Sequence, residues 1–172
     1  MSALLRPFLE RWRLWALISS LLMLAIAHAF ETFGGYAPCM LCLRAREIYW
    51  TAAGVALVGM LVVRMRDGAR WRWAFDAALA LIFAVGVGLA IYHAGAEWKF
   101  WPGPTACGSG GGSVSAGQMA DLLEGAKLRP PACDEAAWVF AGLSMAGWNA
   151  VISFGLVVLS ALAALRERTR RD

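Results

Sequence analysis

The sequence predicts an all-α membrane protein, a bundle of four transmembrane helices, on three observations. Hydrophobic residues make up 60% of the chain and charged residues only 16%, with a mean hydropathy of +0.57, a composition foreign to water-soluble globules. The apolar residues gather into four runs, each long enough, or nearly so, to cross about 30 Å of hydrocarbon as a helix. Nine tryptophans point the same way, because Trp collects where hydrocarbon meets water. A length of 172 residues suits one integral membrane domain, 1–172. The net charge of +4 does not mark a nucleic-acid binder, since the arginines flank apolar runs and form no basic module of their own.

Taken in order, the chain opens with a short basic segment carrying Arg6, Arg11 and Arg13, and the first span covers 14–33. Ala27-His28-Ala29 has the small-residue form of a signal-peptide cleavage site, a competing reading of this run. The apolar stretch is long for a signal peptide, however, and Phe30, Phe33 and Tyr36 continue past it like an interfacial belt. A first loop, 34–42, precedes the second span, 43–63, whose first turn holds Arg44, Arg46 and Glu47. The loop from Arg64 to Arg72 is arginine-rich, with Asp67-Gly68 as its turn. In the third span, 73–94, Asp76 lies close enough to the start to reach the interface, so a snorkelling role is expected.

The second loop, 95–137, opens with the strip Trp98-Lys99-Phe100-Trp101-Pro102-Gly103-Pro104, whose prolines preclude a regular helix and favour extended backbone. Cys107 follows, and then a Gly/Ser tract over 108–117 reads as a flexible linker. Gln118–Leu128 has the pattern of a short interfacial helix; Pro130-Pro131 ends it and Cys133 comes next. The fourth span covers 138–165, and the tail from Arg166 is basic.

Eleven of the sixteen Lys and Arg residues fall in the N-terminal segment, the loop between spans two and three, and the tail; five fall on the other side. By the positive-inside rule both termini are cytoplasmic and both cysteine-bearing loops face outward. Four cysteines fit two pairs. Cys39 and Cys42 stand three apart, a spacing that permits a disulfide or a shared metal. If the second apolar run is a helix, Cys42 lies in its first turn, where free N–H groups and the dipole favour a thiolate. Arg46, four residues on, shares its helix face and adds a fixed positive charge.

Three readings of the cysteines compete at this point. They are structural staples, with a Cys107–Cys133 bridge stabilising the loop by roughly 3 kcal/mol; or a four-cysteine zinc site, for which Cys107 and Cys133 lack the second tight knuckle; or two redox pairs that pass electrons. The Gly-rich surroundings favour the third, because a disulfide that must meet two partners in turn needs freedom to move. An arginine placed beside a cysteine within the membrane boundary is also costly unless something binds it.

The pattern Pro38-Cys39-x-x-Cys42-x-x-x-Arg46, the strip Trp101-Pro102-Gly103-Pro104-Thr105-Ala106-Cys107, and Cys133 followed by Gly142-Leu143-Ser144-Met145-Ala146-Gly147-Trp148-Asn149 resemble the bacterial disulfide bond formation protein B family. That family reoxidises a periplasmic thioredoxin-fold oxidase, DsbA, and passes the electrons to membrane quinone. The resemblance implies a protein-dithiol:quinone oxidoreductase in the bacterial inner membrane, with both cysteine loops in the periplasm. Cys107 and Cys133 would meet the soluble DsbA-like oxidase, and Cys39 and Cys42 would meet quinone. Arg46 would match the family's quinone-site arginine. His93, near the outer end of span three, would be a second quinone contact. Ubiquinone or menaquinone would be the acceptor and no metal would be required. The family's frequent Glu-Arg pair is absent, because Ala45 precedes Arg46 and the acid stands at Glu47. The rival enzyme is a quinone-coupled thiol oxidoreductase of the vitamin K epoxide reductase type; the rival from another class is a membrane scaffold with structural disulfides.

Overall fold

A computed structural model describes residues 5–65, 68–104 and 133–170. Cys107, the Gly/Ser tract and the helix expected over Gln118–Leu128 lie outside the described residues, as does Asp67 of the expected turn. A short helix α1 (Leu5–Glu10) is followed by α2 (Trp12–Thr32), α3 (Met40–Arg64), a 3-10 turn (Gly68–Trp71) and α4 (Arg72–Glu97). A two-stranded hairpin, β1 (Val139–Phe140) and β2 (Leu143–Ser144), leads directly into α5 (Met145–Thr169). The 21 residues of α2 rise about 31 Å at 1.5 Å each. The other three long helices have 25 or 26 residues, so all four are long and apolar enough to cross a membrane.

These helices depart from the sequence-derived limits in two informative places. The third runs to Glu97 rather than Ala94, which places Gly95, Ala96 and Glu97 on ordered helix. The fourth apolar run opens not as helix at Trp138 but as a hairpin, Val139 pairing with Ser144 and Phe140 with Leu143. Its two central residues, Ala141 (φ +51°) and Gly142 (φ +80°), both occupy the left-handed region, as the tightest hairpin turns require. Ser144 then caps α5, its Oγ accepting from the Gly147 N–H at 3.1 Å. The aromatic strip after α4 is not regular helix, as expected, but Trp98–Trp101 turns back instead of running extended. It turns because the Trp98, Lys99 and Phe100 N–H groups bond the last carbonyls of α4 and Lys99 takes a left-handed conformation (φ +61°). The strip folds back so closely that a Cβ at Gly95 would stand 2.0 Å from the Trp101 ring, while Trp101 Nε1 donates to the Tyr92 carbonyl at 2.8 Å.

Packing joins α2 to α3 and, most extensively, α4 to α5. The core combines a few large side chains (Trp12, Tyr49, Leu79, Phe83) with small ones (Ala16, Ala52, Ala56, Ala163) that let the helix backbones approach. Leu22, Leu61, Leu81, Val85, Phe154 and Leu165 project outward and are exposed. Such a belt suits a lipid surround and would be a liability in water. Polar side chains clasp helices across the interior. Trp12 Nε1 donates to Ser160 Oγ at 2.9 Å, and the Tyr49 hydroxyl donates to Asn149 Oδ1 at 2.6 Å beside Ser153 Oγ.

Asp76 corrects the snorkelling expectation. It is fully buried, and Nη1 of Arg13, itself only 6% exposed, donates to both its carboxylate oxygens at 2.8 Å. The α1–α2 junction turns Arg13 into the bundle, so a residue that reads as a flanking cation becomes the partner of an intramembrane acid. Outside the spans, Glu10 receives Arg166 Nη2 at 2.7 Å and Arg170 at 3.4 Å. These bonds, Arg166 foremost, hold the Glu10 carboxyl below its ordinary value and tie α1 to the end of α5.

Candidate active site

At the end of the bundle opposite Asp76, the N-termini of α3 and α5 meet the C-termini of α2 and α4. Cys39 is the N-cap of α3, with extended backbone (φ −75°, ψ 170°), and its Sγ accepts from the Cys42 N–H at 3.2 Å. The same turn brings the Cys42 Sγ to 2.7 Å from Cys39 Sγ. Both are free thiols, and a small side-chain movement would join them at the disulfide length of about 2.05 Å. Cys39 is 5% exposed. The Cys42 sulfur beside it, together with burial, pushes the Cys39 thiol above the ordinary cysteine range. Cys42, half-buried, opens onto a cavity of about 600 Å³ whose walls include Cys39, Arg46, Tyr49, His93, Glu97 and Asn149, with Met23, Leu24, Ile26 and Phe30 among its apolar lining.

Arg46 lies one helical turn below Cys42 and is held from α2. Its Nη1 donates to Glu31 Oε2 at 2.5 Å and its Nη2 to the Ala27 carbonyl at 3.1 Å. Among the described residues its buried Nε has no hydrogen-bond partner, and the side chain forms part of the cavity wall. Arg44 and Glu47 face away. They pair with each other at 2.8 Å on the exposed side of α3, which answers what the displaced acid does: it takes no part in the cavity.

His93 comes from the last turn but one of α4. Its Nε2 stands 3.6 Å from Cys39 Sγ and 3.7 Å from Glu97 Oε1. Glu97 in turn accepts a short hydrogen bond from Ser144 Oγ, so the hairpin that caps α5 also fixes the acid of α4. Cys133 is fully buried and packs into one cluster with Cys39, Leu41, Cys42 and Leu89, and its sulfur is disulfide-bonded. Among the described residues the fold therefore gathers Cys39, Cys42 and Cys133, with Arg46 and His93, at one end. Next to Cys133, Asp134 receives Lys99 Nζ at 2.7 Å, and this bond keeps the Asp134 carboxyl below its ordinary value.

Glu31, Glu97, Ser144 and Asn149 are members of this site that sequence reasoning missed. The signal for Glu97 is its spacing of four from His93 on a helix, legible only if α4 is carried three residues beyond Ala94. Glu31 is an acid at the end of an apolar run, and nothing local connects it to Arg46. Among the described residues, Cys39 Sγ, Cys42 Sγ and the His93 ring nitrogen lie within 4.8 Å of one another, donors of the kind that hold metal ions.

The chemistry open to this arrangement is thiol–disulfide exchange beside a largely apolar pocket with Arg46, His93 and Glu97 among its polar walls. Residues 10–163 match the family model described as "Disulfide bond formation protein DsbB". The chain is 33% identical over 160 residues to disulfide bond formation protein B of Marinobacter nauticus, covering 87% of this chain and 88% of that one. It is 32% identical to disulfide bond formation protein B 2 of Pseudomonas aeruginosa, covering 98% and 99%. A third relative, from Nitrosococcus oceani, is 29% identical over 81% of each chain. No solved structure matches the chain.

Proposed function

This chain belongs to the disulfide bond formation protein B family, a multi-pass membrane protein of disulfide formation, and from that premise we propose that it is a protein-dithiol:quinone oxidoreductase. It takes electrons from a reduced DsbA-like thioredoxin-fold oxidase and delivers them to ubiquinone or menaquinone in the bacterial inner membrane. Both termini are cytoplasmic and the cysteine end is periplasmic, as the distribution of Lys and Arg supports.

The observation that carries this reading is the junction of the Cys39/Cys42 pair with the Arg46-walled cavity. The fit to a quinone rests on the chemistry of the walls: an apolar body, the Arg46 cation, and the Cys42 thiol. Quinone supplies the oxidising power, accepting two electrons and two protons. The chain's own residues do the rest. Thiolate of the reduced partner attacks the Cys107–Cys133 disulfide at Cys107, for which the adjoining proline strip is the docking segment. The freed Cys133 thiolate attacks Cys39 of the oxidised Cys39–Cys42 pair, a transfer for which their packing in one buried cluster is the support. The partner's second thiol then attacks the mixed disulfide, closing the partner's disulfide and releasing the Cys107 thiolate. That thiolate attacks Cys133 of the Cys133–Cys39 disulfide, re-forms Cys107–Cys133 and leaves Cys39 as a thiol beside Cys42. Cys42 faces the cavity and is the sulfur from which electrons leave. Arg46 orients the acceptor's oxygen and balances negative charge there, while His93, beside Cys39 in the cavity wall, is the second polar contact. Closing the Cys39–Cys42 disulfide releases two electrons and two protons, which balances the quinone's demand.

The test is quinone reduction by the purified protein given a reduced thioredoxin-fold oxidase. Cys107→Ser/Cys133→Ser should abolish partner oxidation yet leave Cys39 and Cys42 oxidisable by quinone. Cys42→Ser should block quinone reduction while Cys107 is still captured by a partner thiolate. Partner oxidation at full rate without Cys107 would refute the two-pair relay.

A further inference from the structure

Cys39, Cys42 and His93 present two sulfurs and one imidazole nitrogen within 4.8 Å of one another in a pocket walled by α2, α3, α4 and α5, and the cluster suits another use besides redox exchange. Two thiolates about 2.3 Å from a tetrahedral zinc ion stand about 3.7 Å apart, and each stands about 3.6 Å from an imidazole nitrogen on the same ion. The Cys39 Sγ to His93 Nε2 distance is 3.6 Å, so one edge of that tetrahedron is already set. The Cys39–Cys42 edge, 2.7 Å, is shorter than a zinc-bound pair needs, so metal binding requires the two sulfurs to move apart by about 1 Å. The Cys42 N–H aimed at Cys39 Sγ is the kind of outer hydrogen bond that steadies a ligating thiolate. The Glu97 carboxylate, 3.7 Å from His93 Nε2, stands on the cavity side, where a fourth ligand or a water completes the set.

We propose that the reduced Cys39/Cys42 pair and His93 form a binding site for a thiophilic divalent cation, Zn²⁺ in particular, and that occupancy holds the pair in the dithiol state. Binding displaces the thiol protons and forms two sulfur–metal bonds and one nitrogen–metal bond, with no change of oxidation state. The oxidised pair has no thiolate to offer, so the site exists in one half of the redox cycle only. The consequence for turnover rests on the proposed relay: a cation bound here ties up the sulfurs that must deliver electrons, and free zinc becomes an inhibitor whose effect depends on how long the pair stays reduced.

The binding test uses full-length protein in detergent, reduced anaerobically and freed of quinone, on a Cys107→Ser/Cys133→Ser background so that one thiol pair remains. Co²⁺ reports thiolate coordination through its charge-transfer and visible bands, and Zn²⁺ is titrated against a chromophoric chelator. One equivalent should bind to reduced protein and none to oxidised. Cys39→Ser, His93→Ala and His93→Gln should each weaken binding tenfold or more. In the wild-type protein, Zn²⁺ should protect Cys39 and Cys42 from alkylation, a readout that needs no substitution. Absence of stoichiometric binding to the reduced protein, or wild-type affinity in both His93 variants, would overturn the site. Neither quinone nor partner enters these measurements, so their outcome stands apart from that of the relay. Slowing of quinone reduction by Zn²⁺ in the wild type, relieved by chelator, is the separate functional arm.

Discussion

Replacing Arg46 by Met tests the quinone site at its most exposed assumption. Arg46 makes two bonds to α2, to Glu31 and to the Ala27 carbonyl, and its side chain lines the cavity. If its guanidinium acts on the acceptor's oxygen, the loss is one hydrogen bond to a charged group, about 1.5–3 kcal/mol. At 1.36 kcal/mol per tenfold, kcat/KM for quinone should fall roughly 10- to 150-fold. Arg46→Lys keeps the charge but not the planar fork, and should fall between that variant and the wild type. Arg44→Met is the control: it removes only an exposed pair with Glu47, worth about 0.2–1 kcal/mol of stability and nothing at the cavity. The assay is steady-state quinone reduction over a series of quinones, with thiol trapping to show that all four cysteines still form disulfides. Equal, small effects of Arg46→Met and Arg44→Met would refute the reasoning and reduce Arg46 to an anchor of α3 on α2.

Two further outcomes are expected. Asp76→Ala leaves the buried Arg13 guanidinium unpaired and should destabilise the bundle by about 3–5 kcal/mol, whereas the double change Arg13→Met/Asp76→Leu should recover much of it. Unfolding in mixed micelles measures both, and a single variant as stable as the wild type would mean that the pair is not closed as the structure has it. Cysteines introduced between Arg64 and Arg72 should be shielded from an impermeant thiol reagent in intact cells, while reduced Cys107 reacts; labelling of the arginine loop from outside would reverse the orientation.

The sequence by itself determined the elements that depend on bulk composition and local spacing. Four apolar runs are enough to specify four long helices, because a backbone in hydrocarbon must satisfy its own hydrogen bonds. Cys39, Cys42 and Arg46 were legible as one group because they follow one another at spacings of three and four, one helical turn each, and periodicity alone places them on one face. Tertiary structure decided whatever depends on residues far apart in the chain meeting. Arg46 and Glu31 are separated by a turn between helices, Cys39 and His93 by an entire hairpin, and Tyr49 and Asn149 by 100 positions. No local pattern encodes such pairings, which follow from how α2, α3, α4 and α5 rotate against one another. The same rotation moved Asp76 and Arg13 from the expected interface into the core. Their burial is tolerable only because each arrives with its opposite charge, a condition that a hydropathy profile cannot express and packed helices can.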